Sequence, residues 1–153
     1  NKASLAMSME VPEEVYEVPI GEALVRKQGS DLSIVAFGRM VHEAMDAAEQ
    51  LKDSGLNVEV IDARSVQPFD TATVVASIKK THRALVVHEA VKFGGIGGEI
   101  SAQIQEEAFD YLDAPIMRVG APFSPVPFSP ALEKLYIPNA AGIVAKVKET
   151  LEL

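Results

Sequence analysis

Short apolar runs alternate with stretches of helical spacing along most of the chain. Four of these runs are rich in β-branched or other apolar residues and end at polar or turn residues, as is typical of strands buried in a parallel sheet. They cover residues 32–37, 58–61, 84–87 and 115–119. Apolar residues at helical spacing predict helices over residues 39–54 and 71–80, a helix after Gly98, and a final helix from Asn139 onward.

The ends of the predicted helices carry matching signals. Gly55 stands where helices commonly stop, just past the C-terminus. Asp70 and Asn139 each precede a helix, and their side-chain oxygens can accept hydrogen bonds from the free N–H groups of the first turn. A further strand over residues 22–27 and a turn over residues 28–31 come before the first parallel strand. We therefore predict that these first two strands pair as an antiparallel hairpin.

This alternation of strands and helices predicts an α/β fold. The expected architecture is a three-layer sandwich around a mostly parallel five-stranded sheet with one antiparallel strand and right-handed crossovers. Residues 121–130 contain four prolines and two phenylalanines, which predicts a rigid loop with apolar anchors. Residues 22–153 form the predicted domain. Residues 1–21, which are interrupted by prolines, are predicted to be an extended linker from an upstream domain, and the start at Asn1 without Met suggests a fragment or a processed form.

Composition narrows the functional classes by exclusion. Of the 153 residues, 48% are hydrophobic and 24% are charged, which is the balance of a folded globular domain. The net charge of −8 argues against nucleic acid as a partner. No apolar run approaches the roughly 18 residues that a membrane span requires. Because cysteine is absent, disulfides and thiolate chemistry are excluded.

A glycine-rich turn after the strand at residues 84–87 is the centre of the pattern. It contains Gly94, Gly95, Gly97 and Gly98. A dinucleotide-binding fingerprint would need a further glycine where Ile100 stands, and Glu99 would repel a phosphate at the start of the helix. We therefore predict that this turn packs at a subunit or domain interface and binds no phosphate.

Residues suited to catalysis are sparse. His88 and Glu89, at the end of the strand, are the one pair that resembles acid–base machinery. The alternative is a strand-end histidine that is bonded to the backbone, with Glu89 paired to a neighbouring base. His42 and His82 are predicted to be solvated, and the sequence has neither metal-ligand spacing nor a serine-nucleophile motif. Judged from its residues, the domain is structural or associative.

The ordered set of segments resembles one protein family. The stretches LVVHEAVKFGGIGGEI (residues 85–100) and APIMRVGAPFSPVPFSPALEKLYIPNAAGIVAKV (residues 114–147), with residues 10–51 and 58–81, carry the resemblance. They are similar to the C-terminal domain of the beta subunit of thiamine-diphosphate-dependent 2-oxo acid dehydrogenases. This family includes the pyruvate, branched-chain 2-oxo acid and acetoin dehydrogenases, and the domain type is shared with transketolase.

The resemblance implies that this domain serves assembly rather than chemistry. The whole enzyme would decarboxylate a 2-oxo acid and reductively acylate lipoyl groups, with thiamine diphosphate and Mg²⁺ bound outside this chain. The domain itself would bind no cofactor and supply no catalytic or metal-binding residue. Its implied partners are the alpha subunit and a second beta subunit, with no nucleic acid and no membrane. The implied location is the cytoplasm, or the mitochondrial matrix in a eukaryote.

The same resemblance implies that an acyltransferase docks on the beta subunits. The small, basic subunit-binding domain of the acyltransferase would bind near their twofold axis, where Glu152 and the terminal Leu153 offer carboxylates. Two alternatives stay open. The chain can be the C-terminal domain of a transketolase or a deoxyxylulose-phosphate synthase. It can also be a free-standing ligand-binding regulatory module, in which His88 and the glycine turn would form the ligand site.

Overall fold

The structure, a computed structural model, describes residue 8 and residues 10–152. Within this part of the chain, five strands form one mixed sheet. The strands are β1 (Leu24–Lys27), β2 (Ser33–Ala36), β3 (Glu59–Asp62), β4 (Ala84–Val91) and β5 (Met117–Ala121). The helices are α1 (Met40–Lys52), α2 (Thr71–Thr81), α3 (Ile96–Ala108), α4 (Pro130–Tyr136) and α5 (Ala140–Thr150), and a short 3₁₀ helix covers Phe109–Tyr111.

The strands lie across the sheet in the order β1-β3-β2-β4-β5. The four strands β3, β2, β4 and β5 are parallel, and β1 runs antiparallel to β3 at one edge. Helices α1 and α5 cover one face of the sheet, and helices α2 and α3 cover the other. The predicted sandwich, with a mostly parallel five-stranded sheet and one antiparallel strand, is confirmed.

The predicted hairpin between the first two strands is wrong, because β1 pairs with β3 and not with β2. Every residue of β2 is buried, and β2 has a parallel neighbour on each side. In contrast, β1 alternates between exposed and half-buried residues, as suits an edge strand. The connection between them crosses the start of β3, where a Cβ on Gly29 would collide with the backbone of Val58 and Glu59. This crossing moves β2 to the far side of β3.

Each face of the sheet packs a separate apolar core. On one face, Leu85 and Val87 of β4 pack with residues of α1 and α5. On the opposite face, Ala84 and Val86 pack with residues of α2 and α3. Successive side chains of a strand point to opposite faces. His88, two residues after Val86, is therefore directed toward the face that α3 covers.

The chain departs from the prediction around the last two strands. β4 continues to Val91 instead of ending at Val87, and the short helix α4 follows the proline-rich loop. The two phenylalanines expected to anchor that loop are exposed instead, Phe123 by 75% and Phe128 by 104%. The loop lies outside both cores, so the prolines stiffen it but the described part of the chain leaves its aromatic rings uncovered.

One buried carboxylate ties together the opposite, amino-terminal edge of the sheet. Glu59 is 1% exposed and forms an ion pair with Lys80. It also accepts hydrogen bonds from the Ser77 hydroxyl at 2.5 Å and from the Gly29 N–H at 3.1 Å. Burial by itself would raise the pKa of Glu59, but these donors outweigh it and hold the pKa below its ordinary value of 4.5. The charged form of Glu59 therefore stabilises the fold.

We expect Glu59→Gln to lower the free energy of unfolding by about 2 kcal/mol, because a neutral amide replaces the acceptor of charge-assisted hydrogen bonds. Chemical denaturation at neutral pH checks this. In the matched control, Glu49→Gln, the lost carboxylate is exposed and 4.0 Å from Lys52, so the change should stay within about 0.5 kcal/mol. The loss caused by Glu59→Gln should shrink as the pH falls below 4.5, where the unfolded chain protonates first. Equal effects of the two substitutions would contradict this role.

Candidate functional site

The candidate site lies at the carboxyl ends of the parallel strands, where ligands and partners collect in open α/β sheets. β4 extends beyond the end of β2 on this edge and leads through residues 92–95 into α3. α3 begins at Ile96, so Gly97 and Gly98 lie inside its first turn and not before it. Gly94 and Gly95 form the turn itself.

A bulge in β4 begins just after Val87. Val87 pairs with Val119 of β5. Four residues further along β4, Val91 pairs with Ala121, which is two residues further along β5. Such extra residues bend a strand and change the direction of its side chains. His88 lies in this irregular segment, and its ring is packed beneath the start of α3.

The His88 ring is buried without a polar partner. The residue is 3% exposed, and neither ring nitrogen makes a hydrogen bond to any described residue. Burial lowers the pKa of His88 from its ordinary value of 6.5. The backbone of Ala90 is near enough to oppose this shift, although without hydrogen-bond geometry, and the Arg118 guanidinium adds to it. The imidazole is therefore held in its neutral form.

Three glycines enclose this ring, and we call Gly95, Gly97 and Gly120 the glycine cradle. A Cβ added to Gly95 would lie 2.8 Å from His88 Cε1, and one added to Gly120 would lie 2.9 Å from the same atom. A Cβ added to Gly97 would lie 2.5 Å from His88 Cδ2. Any larger residue at these positions would overlap the ring. The close approach of a side chain thus gives a packing reason for two glycines of the turn region.

The predicted bonds of the His88 ring are absent, because within the described chain the ring is hydrogen-bonded neither to Glu89 nor to the backbone. The pairing of Glu89 with a neighbouring base stays a prediction. A general acid or base needs a hydrogen-bond path to the reacting group, and the enclosed ring offers none. Of the two histidines predicted to be solvated, His82 is exposed and His42 is half-buried, and His82 Nδ1 is hydrogen-bonded to the Tyr111 carbonyl at 2.9 Å.

The rim of this edge is formed by the turn after β4 and the loop after β5. Arg118 donates a hydrogen bond to the Lys92 carbonyl at 3.3 Å, and the Lys92 N–H donates to the Ala121 carbonyl at 2.8 Å. Phe93 meets Phe123 edge to face, with the ring centroids 5.0 Å apart. These five residues line an open cavity of about 540 Å³ with Gly120 and Pro122. The two segments are therefore held together by hydrogen bonds at the base and by an aromatic contact at the tip.

Large apolar side chains are exposed along this edge. Phe93 is 73% exposed and Phe123 is 75% exposed. The loop after β5 and helix α4 add Val126, Phe128, Leu132 and Leu135, which are 55–104% exposed. We call these six residues the apolar rim. Exposed apolar groups that gather in one region mark interaction surfaces.

The described residues of this domain do not fit thiamine diphosphate with Mg²⁺. Among the described residues, no group of three or more His, Asp or Glu side chains could hold a metal ion. The start of α3 carries Glu99 in its first turn, which disfavours a diphosphate there. The same part of the chain contains no helix whose length and apolar character would allow it to cross a bilayer. Of the predicted docking residues, Glu152 is exposed just beyond α5, and Leu153 lies outside the described residues.

Comparison with known families agrees with this architecture. The family model described as the C-terminal domain of transketolase matches residues 21–143, which is most of the chain. The chain belongs to this family.

Relatives of this transketolase C-terminal domain include subunits of pyruvate dehydrogenase. The pyruvate dehydrogenase E1 component subunit beta of Staphylococcus aureus is 50% identical over 143 residues, which cover 94% of this chain and 44% of the relative. The protein of the same name from Staphylococcus epidermidis is 47% identical over the same length. The chain spans less than half the length of these relatives. The resemblance to the beta subunits of 2-oxo acid dehydrogenases is confirmed.

A solved structure shares the fold of this transketolase C-terminal domain. It is described as a split-gene transketolase in the form of an inactive beta4 tetramer. It aligns with a TM-score of 0.79 and 30% identity, over 96% of this chain and 46% of that chain. The aligned region thus covers nearly the whole domain.

Sequence reasoning did not find the part of the site that β5 and the rim supply. Two signals were present, because Gly120 interrupts an apolar strand and Arg118 is a lone charge in the same strand. Glycine inside a strand often marks a close approach of other groups. What the sequence does not reveal is the bulge that brings Gly120 against His88.

Proposed function

We propose that this chain is the C-terminal domain of the beta subunit of the decarboxylating component of a cytoplasmic 2-oxo acid dehydrogenase complex. The observation that carries the proposal is the 50% identity, over 94% of the chain, to a pyruvate dehydrogenase E1 component subunit beta. The transketolase alternative is supported by a lower identity of 30%. The complete enzyme would decarboxylate a 2-oxo acid, with thiamine diphosphate and Mg²⁺, and reductively acylate lipoyl groups.

Within that enzyme, the domain holds subunits together. Three observations support this role. The enclosed His88 ring has no hydrogen-bond partner among the described residues, and the same residues contain no cluster of side chains that could bind a metal ion. The apolar rim is exposed. The relative described as a beta4 tetramer supports association between chains of this type. The proposed partner of the rim is a second beta subunit, and the alpha subunit completes the enzyme.

The glycine turn takes part in the same proposed interface, in two ways. Gly94, Gly95 and Gly98 retain exposed surface and can contact the second beta subunit directly. Gly97 is buried within this chain against His88, so its contribution is to position the turn. The absence of side chains on the turn allows another backbone to approach closely.

Glu152 and Leu153 are the proposed docking point of the acyltransferase. Glu152 is exposed beyond the last helix, and Leu153 follows it outside the described residues. With a net charge of −8, the chain favours a basic partner. Complementary charges of this kind mainly accelerate encounter and fix orientation. The partner is therefore the small, basic subunit-binding domain of a dihydrolipoyl acyltransferase.

Reconstitution of the complete enzyme tests the proposal. The full-length protein that contains this chain is combined with its alpha subunit, thiamine diphosphate and Mg²⁺. We expect decarboxylation of a 2-oxo acid, measured with an artificial electron acceptor, and acylation of a lipoyl domain. Transfer of a ketol group from a ketose phosphate, without 2-oxo acid decarboxylation, would contradict the proposal and favour the transketolase alternative.

A shortened variant in the same assay tests the docking point. Deleting Glu152 and Leu153 should leave decarboxylation unchanged and weaken binding of the acyltransferase subunit-binding domain roughly tenfold or more, because charge-assisted pairs are lost. The loss should be smaller at higher salt, since salt screens exposed charges. Glu49→Gln, which removes an exposed carboxylate of α1, serves as the control. Unchanged affinity at both salt concentrations would place the docking site elsewhere.

A further inference from the structure

We infer that His88 is a proton-operated latch on the turn that joins β4 to α3. The neutral ring fills the glycine cradle and holds the turn closed, whereas the protonated ring leaves the cradle and the turn opens. Opening separates Phe93, which lies on this turn, from Phe123 on the loop after β5. Acidification would therefore dismantle part of the apolar rim.

The glycine cradle accepts a neutral ring but not a charged one. An imidazolium has two N–H donors, and both need acceptors when they are buried. In the closed state neither ring nitrogen is hydrogen-bonded to a described residue, since the nearby Ala90 backbone lacks hydrogen-bond geometry and the three glycines pack against the ring. An unpaired buried charge is strongly disfavoured, so the protonated ring gains by moving into water.

The charged groups around the ring reinforce this preference. From β5, the positive Arg118 disfavours a second positive charge. From α3, the positive end of the helix dipole faces the ring, and the Glu99 carboxylate is engaged by Gln103 one turn further along. From β4, Lys92 is exposed, and the half-buried Glu89 is not bonded to the ring. No described carboxylate is therefore hydrogen-bonded to the His88 ring in the closed state.

Opening of the turn requires little free energy. Gly94 has a φ of +67°, which glycine adopts without strain, and the space around its Cβ position is empty to 4 Å. Phe93 is already 73% exposed, so little buried apolar surface is lost when it leaves Phe123. The base of the turn is fixed by the hydrogen bond from the Lys92 N–H to Ala121. Opening is therefore confined to the segment between Lys92 and the first turn of α3.

The opening is a property of this domain and does not depend on the proposed function. Its consequence, a weaker association of beta subunits at low pH, does rest on the proposed function. The two are distinguishable because exchange of the turn and mass of the assembly are separate measurements. An assembly that stays intact while the turn opens would contradict the proposed role of the rim and leave the latch standing.

Hydrogen exchange in the complete beta subunit measures the opening. We expect the open fraction of the amides of residues 94–98, corrected for the intrinsic pH dependence of exchange, to rise by up to about tenfold per pH unit below pH 6.5. The open fraction rises as the pH falls because His88 has the higher pKa in the open state and is protonated there first. His88→Gln, which cannot be protonated in this range, should remove the rise. His82→Gln, at an exposed histidine, should leave it unchanged.

The inference would be overturned if the open fraction of residues 94–98 depended on pH in His88→Gln as it does in the wild type. It would also be overturned if this fraction did not rise in the wild type between pH 7 and pH 5. If His88→Gln does not fold, the wild type alone decides the matter through NMR of ¹³C-labelled histidine rings. The His88 signal should become protonated in step with the loss of exchange protection in residues 94–98. Protonation of His88 with the turn still protected would overturn the inference.

Discussion

Replacing Gly97 by valine should lower the free energy of unfolding by about 3 kcal/mol or more. The first added carbon would lie 2.5 Å from His88 Cδ2 and closer still to Nε2. Because Gly95 and Gly120 lie against Cε1 of the same ring, the neutral ring can relieve the overlap only by leaving the glycine cradle. Overfilling a close-packed interior typically costs about 1–3 kcal/mol, and valine adds two methyl groups beyond that first carbon. Chemical denaturation of the complete protein measures the loss.

Gly98→Val is the matched control, since Gly98 is the next residue of the same helical turn. A Cβ there would lie 3.3 Å from Arg118 Nη1, the mobile end of a long side chain. We expect a change within about 1 kcal/mol, the scale of helix propensity. Combining Gly97→Val with His88→Ala should recover much of the loss, because the missing ring makes room for the valine. Equal losses at the two glycines, or no recovery in the double variant, would contradict the glycine cradle.

Much of the fold can be predicted from the sequence because its signals are local. Asp70 accepts a hydrogen bond from the Thr73 N–H at 3.0 Å, and Asn139 accepts one from the Gly142 N–H at 3.0 Å. Both are the predicted helix caps, and each is read from a few adjacent residues. The same holds for the four parallel strands, whose residues are mostly apolar because both faces of the sheet are covered.

The hairpin prediction failed because strand neighbours are chosen by competition across the whole chain. Residues 28–31 contain the glycine and polar residues of a tight turn, but the pairing of β1 depends on β3, which comes some thirty residues later. β2 is buried along its whole length and takes a central place in the sheet. Nothing in residues 22–37 alone distinguishes these two outcomes.

The candidate site was located by the sequence but not explained by it. The glycines before and inside the start of α3 are conspicuous, and their prediction as an interface remains a prediction. That Gly97 and Gly120 both lie against His88 depends on how α3 packs on β4 and on the register of β4 with β5. Both are long-range features. The exposure of Phe123 was missed for the same reason, since only the folded chain shows that no core lies beneath the loop within the described residues.

The second large effect is expected on the association of beta subunits. Phe93 and Phe123 are 73% and 75% exposed, and their rings support each other at 5.0 Å. Aromatic anchors at the centre of an interface can each contribute about 2 kcal/mol or more to binding. Replacing both by serine should therefore raise the dissociation constant of the beta–beta contact by roughly a thousandfold, with little effect on the fold, because neither ring belongs to a core.

Phe109→Ser is the matched control for this substitution. Phe109 is 67% exposed, close to the exposure of the two rim residues, but it lies in the connection between α3 and β5 at the opposite edge of the sheet. It should leave association unchanged. Its unfolding transition and those of the rim variants should coincide with that of the wild type.

The mass of the assembled enzyme tests the central claim most directly. Complete beta subunit carrying Phe93→Ser and Phe123→Ser is mixed with alpha subunit, and its sedimentation is compared with that of the wild type and of Phe109→Ser. The account predicts that the wild type and the control form the same assembly with two beta subunits, whereas the rim variant yields species with one. The account would be contradicted by a rim variant that sediments like the wild type at subunit concentrations near the dissociation constant of the wild-type beta–beta contact.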